Sequence, residues 1–196
     1  MREAQVHRKT NETEIQVKLN LDGSGEHHIQ TGVGFLDHML NHIALHGMFD
    51  LEVEAVGDLE VDAHHTIEDC ALALGEAFDR ALGQRQGITR IASAYVPMDG
   101  ALSRVVVDLS GRPYTVFQAT WQGDAIGQMP VSMIRHFFSS FSTTSRSNIH
   151  AHLLYSEDDH HGAEALFKAL GRALDEATRI EPRREGSVPS TKGSLG

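Results

Sequence analysis

The feature that most limits how this chain can fold is an internal echo. Asp62-Ala63-His64-His65-Thr66-Ile67-Glu68-Asp69 returns in the second half as Asp159-His160-His161-Gly162-Ala163-Glu164. Each copy leads into an Ala- and Leu-rich run, Cys70 to Phe78 in one case and Ala165 to Leu174 in the other, so the motif opens a helix twice. The echo extends beyond the histidines. Val105, Val107 and Leu109 lie 88 positions after Val17, Leu19 and Leu21, and Gly111 lies 88 after Gly23. Self-similarity at a fixed offset is the mark of a duplicated structural unit.

The alternation of apolar and polar residues supplies the strands of that unit. Ile15, Val17, Leu19 and Leu21 fall on one face of a strand over residues 13–21, with Glu14, Gln16, Lys18 and Asn20 on the other, paired in a hairpin with residues 2–9. A short strand near 26–30 is followed by a helix over 35–46, where Leu36, Met39, Leu40 and Ile43 share a face and Gly47 provides the stop. A strand over 51–55 leads to a helix over 64–82. The second half repeats the order, with strands over 91–98, 103–109, 113–120 and 150–155 and helices over 130–142 and 160–178. The expected architecture is therefore α+β, one domain over 1–180 made of two fused repeats (about 1–90 and 91–180). Each half is expected to be a four-stranded mixed sheet packed against two helices. After Ile180 the periodicity stops, and residues 181–196 read most simply as a disordered tail.

Composition narrows the class of function. A net charge of −10 disfavours nucleic acid and anionic membrane as partners, because both are recognised by basic surfaces. No apolar run approaches the roughly 18 residues of a membrane span, and the first residues lack an export signal. The one cysteine, Cys70, falls in a helical apolar pattern and suits a packed thiol in a reducing, cytoplasmic setting. The outlying count is 13 histidines, which points to metal ligation or proton chemistry.

Helical spacing limits how those histidines can be used. Residues four or three apart share a face, so His64 or His65 can converge with Glu68, and His160 or His161 with Glu164. Neighbouring residues point about 100° apart, so the two histidines of one pair cannot easily reach the same ion from a regular helix. A His-His pair then serves two ions. His38 and His136 occupy corresponding helices of the two halves and bring the set to six imidazoles and two carboxylates, three His and one Glu per ion. One such pair alone is ordinarily a capping or surface feature; its duplication argues for a site. Imidazole-rich coordination suits zinc, iron or nickel, and the carboxylates admit manganese. Ligand count does not separate a structural from a catalytic metal. His7, His27, His28, His150 and His152 are weaker candidates, as are His42 and His46 in the last turns of their helix. For an anion, Arg90, Arg112, Lys168, Ser190 and Lys192 are the candidate grips, and a dinuclear hydrolase or a metal-storage assembly are the readings that these residues alone permit.

Phe35-Leu36-Asp37-His38-Met39, the two His-His motifs, Ser110-Gly111-Arg112-Pro113 and Pro189-Ser190-Thr191-Lys192-Gly193 together resemble the imidazoleglycerol-phosphate dehydratase family, in order over essentially the whole chain. The resemblance implies a duplicated fold of the ribosomal protein S5 domain 2-like type and two Mn2+ per active site. It implies as ligands His38, His64, His65, Glu68, His136, His160, His161 and Glu164, all but His136 and Glu164 also lying against the substrate. It implies a homo-oligomer, trimers assembled into a 24-mer shell with active sites where subunits meet. Arg90, Arg112, Lys168, Ser190 and Lys192 would hold the substrate phosphate, residues 181–196 would close over it, and His42 and His46 would neighbour the pocket. Glu14 would approach the glycerol carbons and share proton transfer with Glu68 and Glu164. The implied reaction, in histidine biosynthesis, converts imidazoleglycerol phosphate to imidazoleacetol phosphate through an imidazolate or diazafulvene-like intermediate.

Overall fold

A computed structural model describes residues 2–184 and 186–195. The first half contains β1 (Glu3–Lys9), β2 (Thr13–Asn20), β3 (His27–Gln30), α1 (Gly34–Gly47), β4 (Asp50–Gly57) and α2 (His64–Leu82). The second contains β5 (Ile91–Met98), β6 (Ala101–Asp108), β7 (Tyr114–Gln118), a small hairpin of β8 (Ala125–Ile126) and β9 (Met129–Pro130), α3 (Val131–Ser145), β10 (Asn148–Tyr155) and α4 (Asp159–Thr178). The sheets run in the orders β1-β2-β4-β3 and β5-β6-β10-β7, which are the same order once the halves are superposed. In each, three strands are antiparallel and the last, β3 or β7, lies parallel to its neighbour. The fold class expected from the repeat is the one observed.

The offset between halves shows where they diverge. β1 and β5, like β2 and β6, start 88 residues apart (91 − 3 and 101 − 13). His38 and His136 are 98 apart, because β8 and β9 lengthen the connection into α3. His64 and His160 are 96 apart, because the second connection from sheet to helix is shorter: eight steps from Gly57 to His65, six from Tyr155 to His161. The hairpin leaves no trace in the periodicity, since two-residue strands around Gly127 (φ 57°) are too short to alternate.

Each sheet turns one face to its own helices. Ile15, Val17, Leu19, Leu51 and Val53 of one sheet and Val105, Val107, Ile149 and Ala151 of the other are buried. The helices then pair across the halves, α1 with α4 and α2 with α3. Glycine makes both crossings close, Gly75 of α2 against the α3 backbone and Gly171 of α4 against that of α1. Phe78, Phe137, Phe138, Phe141 and Phe167 fill the space between, with neighbouring ring centroids 5.0–6.4 Å apart. The helix expected over 130–142 runs on to Ser145. Its Ser/Thr-rich end is a poor helix former, but Thr143 and Thr144 donate to Ser139 and Leu72 carbonyls (both 2.8 Å), and Arg146 ends it in the left-handed region.

Beyond α4 the chain doubles back. Glu181 N donates to the Gly87 carbonyl and Gly87 N to the Ser187 carbonyl (2.8 and 2.9 Å). The described tail residues are therefore tied to the turn that precedes β5. Among the described residues no helix is long and apolar enough to cross a membrane.

Candidate active site

The second His-His helix starts with a side-chain cap, Asp158 Oδ1 accepting from His161 N (2.9 Å), while before the first, whose N-cap is Ala63, Asp62 Oδ1 accepts from His64 N (2.7 Å). From these starts the cross-half pairing of helices gathers two candidate ligand sets. One joins His38 of α1 to His160 and Glu164 of α4; the other joins His136 of α3 to His64 and Glu68 of α2. In each set one donor atom per residue lies within 4.8 Å of the others. Glu164 Oε2 is 3.6 Å from His38 Nε2 and 3.5 Å from His160 Nε2, while the Glu68 oxygens are 3.6 Å from His64 Nε2 and 3.4 Å from His136 Nε2. These separations are long for hydrogen bonds and close to those of atoms that each stand about 2 Å from one ion. His136 Nε2 is buried with no hydrogen-bond partner among the described residues. A buried, unpaired imidazole nitrogen is costly and suits a ligand waiting for a cation.

Neighbouring histidines diverge as helical spacing requires, and each pair divides in the same sense. The i, i+4 histidines, His64 and His160, turn toward their glutamates, and the adjacent His65 and His161 turn away from both sets. His65 Nδ1 lies 3.0 Å from Asp58 Oδ2 and 3.7 Å from Glu12 Oε2. Among the described residues the acids beside His161 are Asp99 (3.7 Å) and Asp158 (3.8 Å), both beyond hydrogen-bond reach. One chain thus holds two sets of three donors, with a fourth donor facing outward next to each.

The two sets differ electrostatically. Glu164, only 8% exposed, gives Oε1 to Lys168 Nζ (2.5 Å) and His42 Nε2 (3.1 Å) and leaves Oε2 to the ligand set. Burial pushes its pKa up, but the Lys168 hydrogen bond and the charges of His42, Lys168 and His38 outweigh that, and it lies below the usual carboxylate range. His42 is pushed down to about 4, mainly by burial, partly opposed by Glu164, with His38 and Lys168 adding to the fall. At the position 96 residues before Lys168 stands Leu72, so Glu68 has no such cation on its own helix.

The other candidates separate. Arg90, Arg112, Ser190 and Lys192 line one open hollow of about 530 Å³, with Arg184. Arg90 is held there by Asp108 (2.7 and 3.0 Å) and the Pro189 carbonyl (2.7 Å), on a backbone with φ 78°. Lys168 does not join them. It lies against Glu164 and Met98 Sδ (3.4 Å), in the first ligand set. His46 lines a different hollow with Tyr95, Arg172 and Arg179. Glu14 sits on the outer face of β2, bonded to His7 (2.9 Å) and Lys9 (2.7 Å), away from both sets of its own chain. Those bonds, Lys9 first, hold its pKa below the usual range. Asp58, Asp108 and Arg184 carry no signal in the sequence. Asp58 follows a strand, Asp108 ends one and Arg184 ends a single 3-10 turn (Pro182–Arg184), where no spacing marks them.

The family model for imidazoleglycerol-phosphate dehydratase matches residues 31–174. The imidazoleglycerol-phosphate dehydratase of Roseiflexus sp. is 57% identical over 194 residues, 99% of this chain and 98% of its own. That of Methylobacterium radiotolerans is 51% identical over the full length of both. Among solved structures, imidazoleglycerol-phosphate dehydratase from Pyrococcus furiosus in complex with (S)-C348 superposes with a TM-score of 0.84 at 37% identity, covering 97% of this chain and all of that one. The Staphylococcus aureus enzyme gives 0.82 at 34%, covering 90% and 98%. The chain, with its duplicated fold and its paired His and Glu sets, belongs to the imidazoleglycerol-phosphate dehydratase family, enzymes that act as dehydratases in histidine biosynthesis.

Proposed function

We propose that this protein removes water from imidazoleglycerol phosphate to give imidazoleacetol phosphate at an active site with two Mn2+. The observation that carries the reading is the pair of three-donor sets, each joining helices from both halves, with the unpartnered His136 Nε2 in one of them. His38, His160 and Glu164 would hold one ion and His64, Glu68 and His136 the other. The mixture of imidazole and carboxylate fits manganese. His65 and His161, turned outward from their own sets, would complete those of neighbouring copies, so that active sites form where subunits meet in a homo-oligomer, a 24-mer on this reading.

Manganese, when bound, supplies Lewis-acid polarisation of the substrate's imidazole ring. The chain's residues then account for the rest. On this reading the ring gives up its N–H proton and, as an imidazolate, expels the hydroxyl on the carbon beside it. The proton on the next carbon is then removed from the diazafulvene-like substrate, returning the ring to an imidazole and leaving an enol that tautomerises to the keto product. Glu14 is ionised at neutral pH and is a weak base, so it can accept that proton only after the ring has been made an electron sink. Glu68 and Glu164 are the other carboxylates able to share the proton transfer. Arg90, Arg112, Ser190 and Lys192 would grip the phosphate, with Lys168 contributing from the ligand-set side. The tail over 186–195, which supplies Ser190 and Lys192 and tethers Arg90 through Pro189, would close over it.

The test uses metal-stripped protein given imidazoleglycerol phosphate with and without Mn2+. Keto product forms only with the metal on this reading. Absence of keto product with phosphoester cleavage would favour a dinuclear hydrolase.

A further inference from the structure

The two outward histidines are held differently, and the difference can be traced to the residue that follows one strand. Asp58 directly follows β4. Its backbone is fixed at both ends, N donating to the Glu12 carbonyl (3.1 Å) and O accepting from Val61 N (2.8 Å). Its carboxylate is thereby set against His65, at 3.0 and 3.3 Å from Nδ1. A carboxylate only accepts, so the Nδ1 atom facing it carries the ring proton, and Nε2 is left as the lone-pair nitrogen. That nitrogen has no partner among the described residues. In the other half the residue that directly follows β10 is Ser156, so no carboxylate occupies the corresponding place. The nearest acid to His161 Nδ1 is Asp158, at 3.8 Å, and its Oδ1 already accepts from His161 N.

We infer that Asp58 is a positioning residue that fixes the tautomer and direction of His65, and that the two metal sites of this protein are inequivalent because His161 lacks such an anchor. The inference rests on the metal reading above. A carboxylate behind a ligating imidazole orients the ring and selects the nitrogen offered to the metal, and loss of such a partner typically weakens binding about 10–100-fold. Here that loss should fall on the one site served by His65.

The experiment is titration of metal-stripped protein with Mn2+, following free ion by electron paramagnetic resonance, for the parent, Asp58→Ala and Asp58→Asn. The parent should take up two ions per chain. Asp58→Ala should lose affinity at one of the two by about 10–100-fold, with the other unchanged and with the melting temperature of the metal-free protein unchanged. Asp58→Asn keeps an acceptor oxygen for Nδ1–H and should recover most of the loss. A parent that binds fewer than two ions overturns the metal reading and this inference with it. Two ions at parental affinity in Asp58→Ala, with the parent normal, overturn the inference alone. So does an equal weakening of both sites with a lowered metal-free melting temperature, which marks a structural role, or Asp58→Asn behaving no better than Asp58→Ala.

Discussion

The helix crossings that assemble the ligand sets can be tested with one methyl group. Gly75 faces α3 so closely that a Cβ there would overlap Thr144 Oγ1 and stand 2.5 Å from the Phe141 carbonyl oxygen and 2.9 Å from Ser145 N. Thr144 is itself bonded to the Leu72 carbonyl (2.8 Å), and the other two atoms are backbone, so relief requires the helices to separate. Overpacking of a close-packed interior costs roughly 1–3 kcal/mol, and rigid neighbours place Gly75→Ala at the upper end. Alanine's helix preference over glycine offsets roughly 0.8–1.0 kcal/mol of this, leaving a net loss of about 2 kcal/mol. For a chain of this size each kcal/mol moves the midpoint roughly 2–4 °C, so the melting temperature should fall by about 4–8 °C. Gly171, its counterpart 96 residues on, meets backbone atoms of α1 at 2.9–3.2 Å. Gly171→Ala should therefore lie near the lower end of the overpacking range and leave stability nearly unchanged. Calorimetric melts in chelator measure both without interference from metal. A Gly75→Ala protein that melts at or above the parent would show that this glycine does not set its crossing, and a Gly171→Ala protein that falls further than Gly75→Ala would refute the ranking drawn from the contact distances.

Two further expectations concern residues outside the ligand sets. Asp50 accepts from Ser24 N (2.8 Å), Glu26 N (3.2 Å) and Asn20 Nδ2 (3.3 Å), and these bonds, Ser24 first, lower its pKa. A depressed folded pKa gives stability that is present above the unfolded value of about 3.9 and is lost as pH falls through the folded one. Asp50→Asn should thus be less stable than the parent at pH 7 in urea titrations, with the gap closing below about pH 4; a gap that is constant with pH would rule out this linkage. Arg90→Ala removes the bonds to Asp108 and to the Pro189 carbonyl, so residues 186–195 should be trimmed several-fold faster in limited proteolysis followed by mass spectrometry. An unchanged rate would mean that Arg90 does not hold the tail.

Much of the fold and of the donor inventory is legible in the sequence. The alternation over 13–21 and its echo 88 residues later report which side of each strand meets the core, because side chains alternate in a strand whatever its neighbours are. Adjacent histidines on a helix must diverge, so the expectation that each His-His pair serves two ions follows from His64-His65 and His160-His161 alone. What periodicity cannot report is which helix a face will meet. The ligand sets combine α1 with α4 and α2 with α3 because Gly75 and Gly171 let backbones approach across the halves, a choice made by packing between segments far apart in sequence. Lys168 stands beside Glu164 rather than with Arg90 and Arg112 for a local reason, one helical turn and a 2.5 Å ion pair, but its absence from the hollow that those arginines line is a tertiary fact. Asp58 sits in a loop without a period, and only the fold brings its carboxylate to His65. Periodicity and spacing thus settle the repeat, the strand faces and the types of donor. Packing settles which donors come within a few ångströms of one another, because local spacing sets such distances within one helix and not between two.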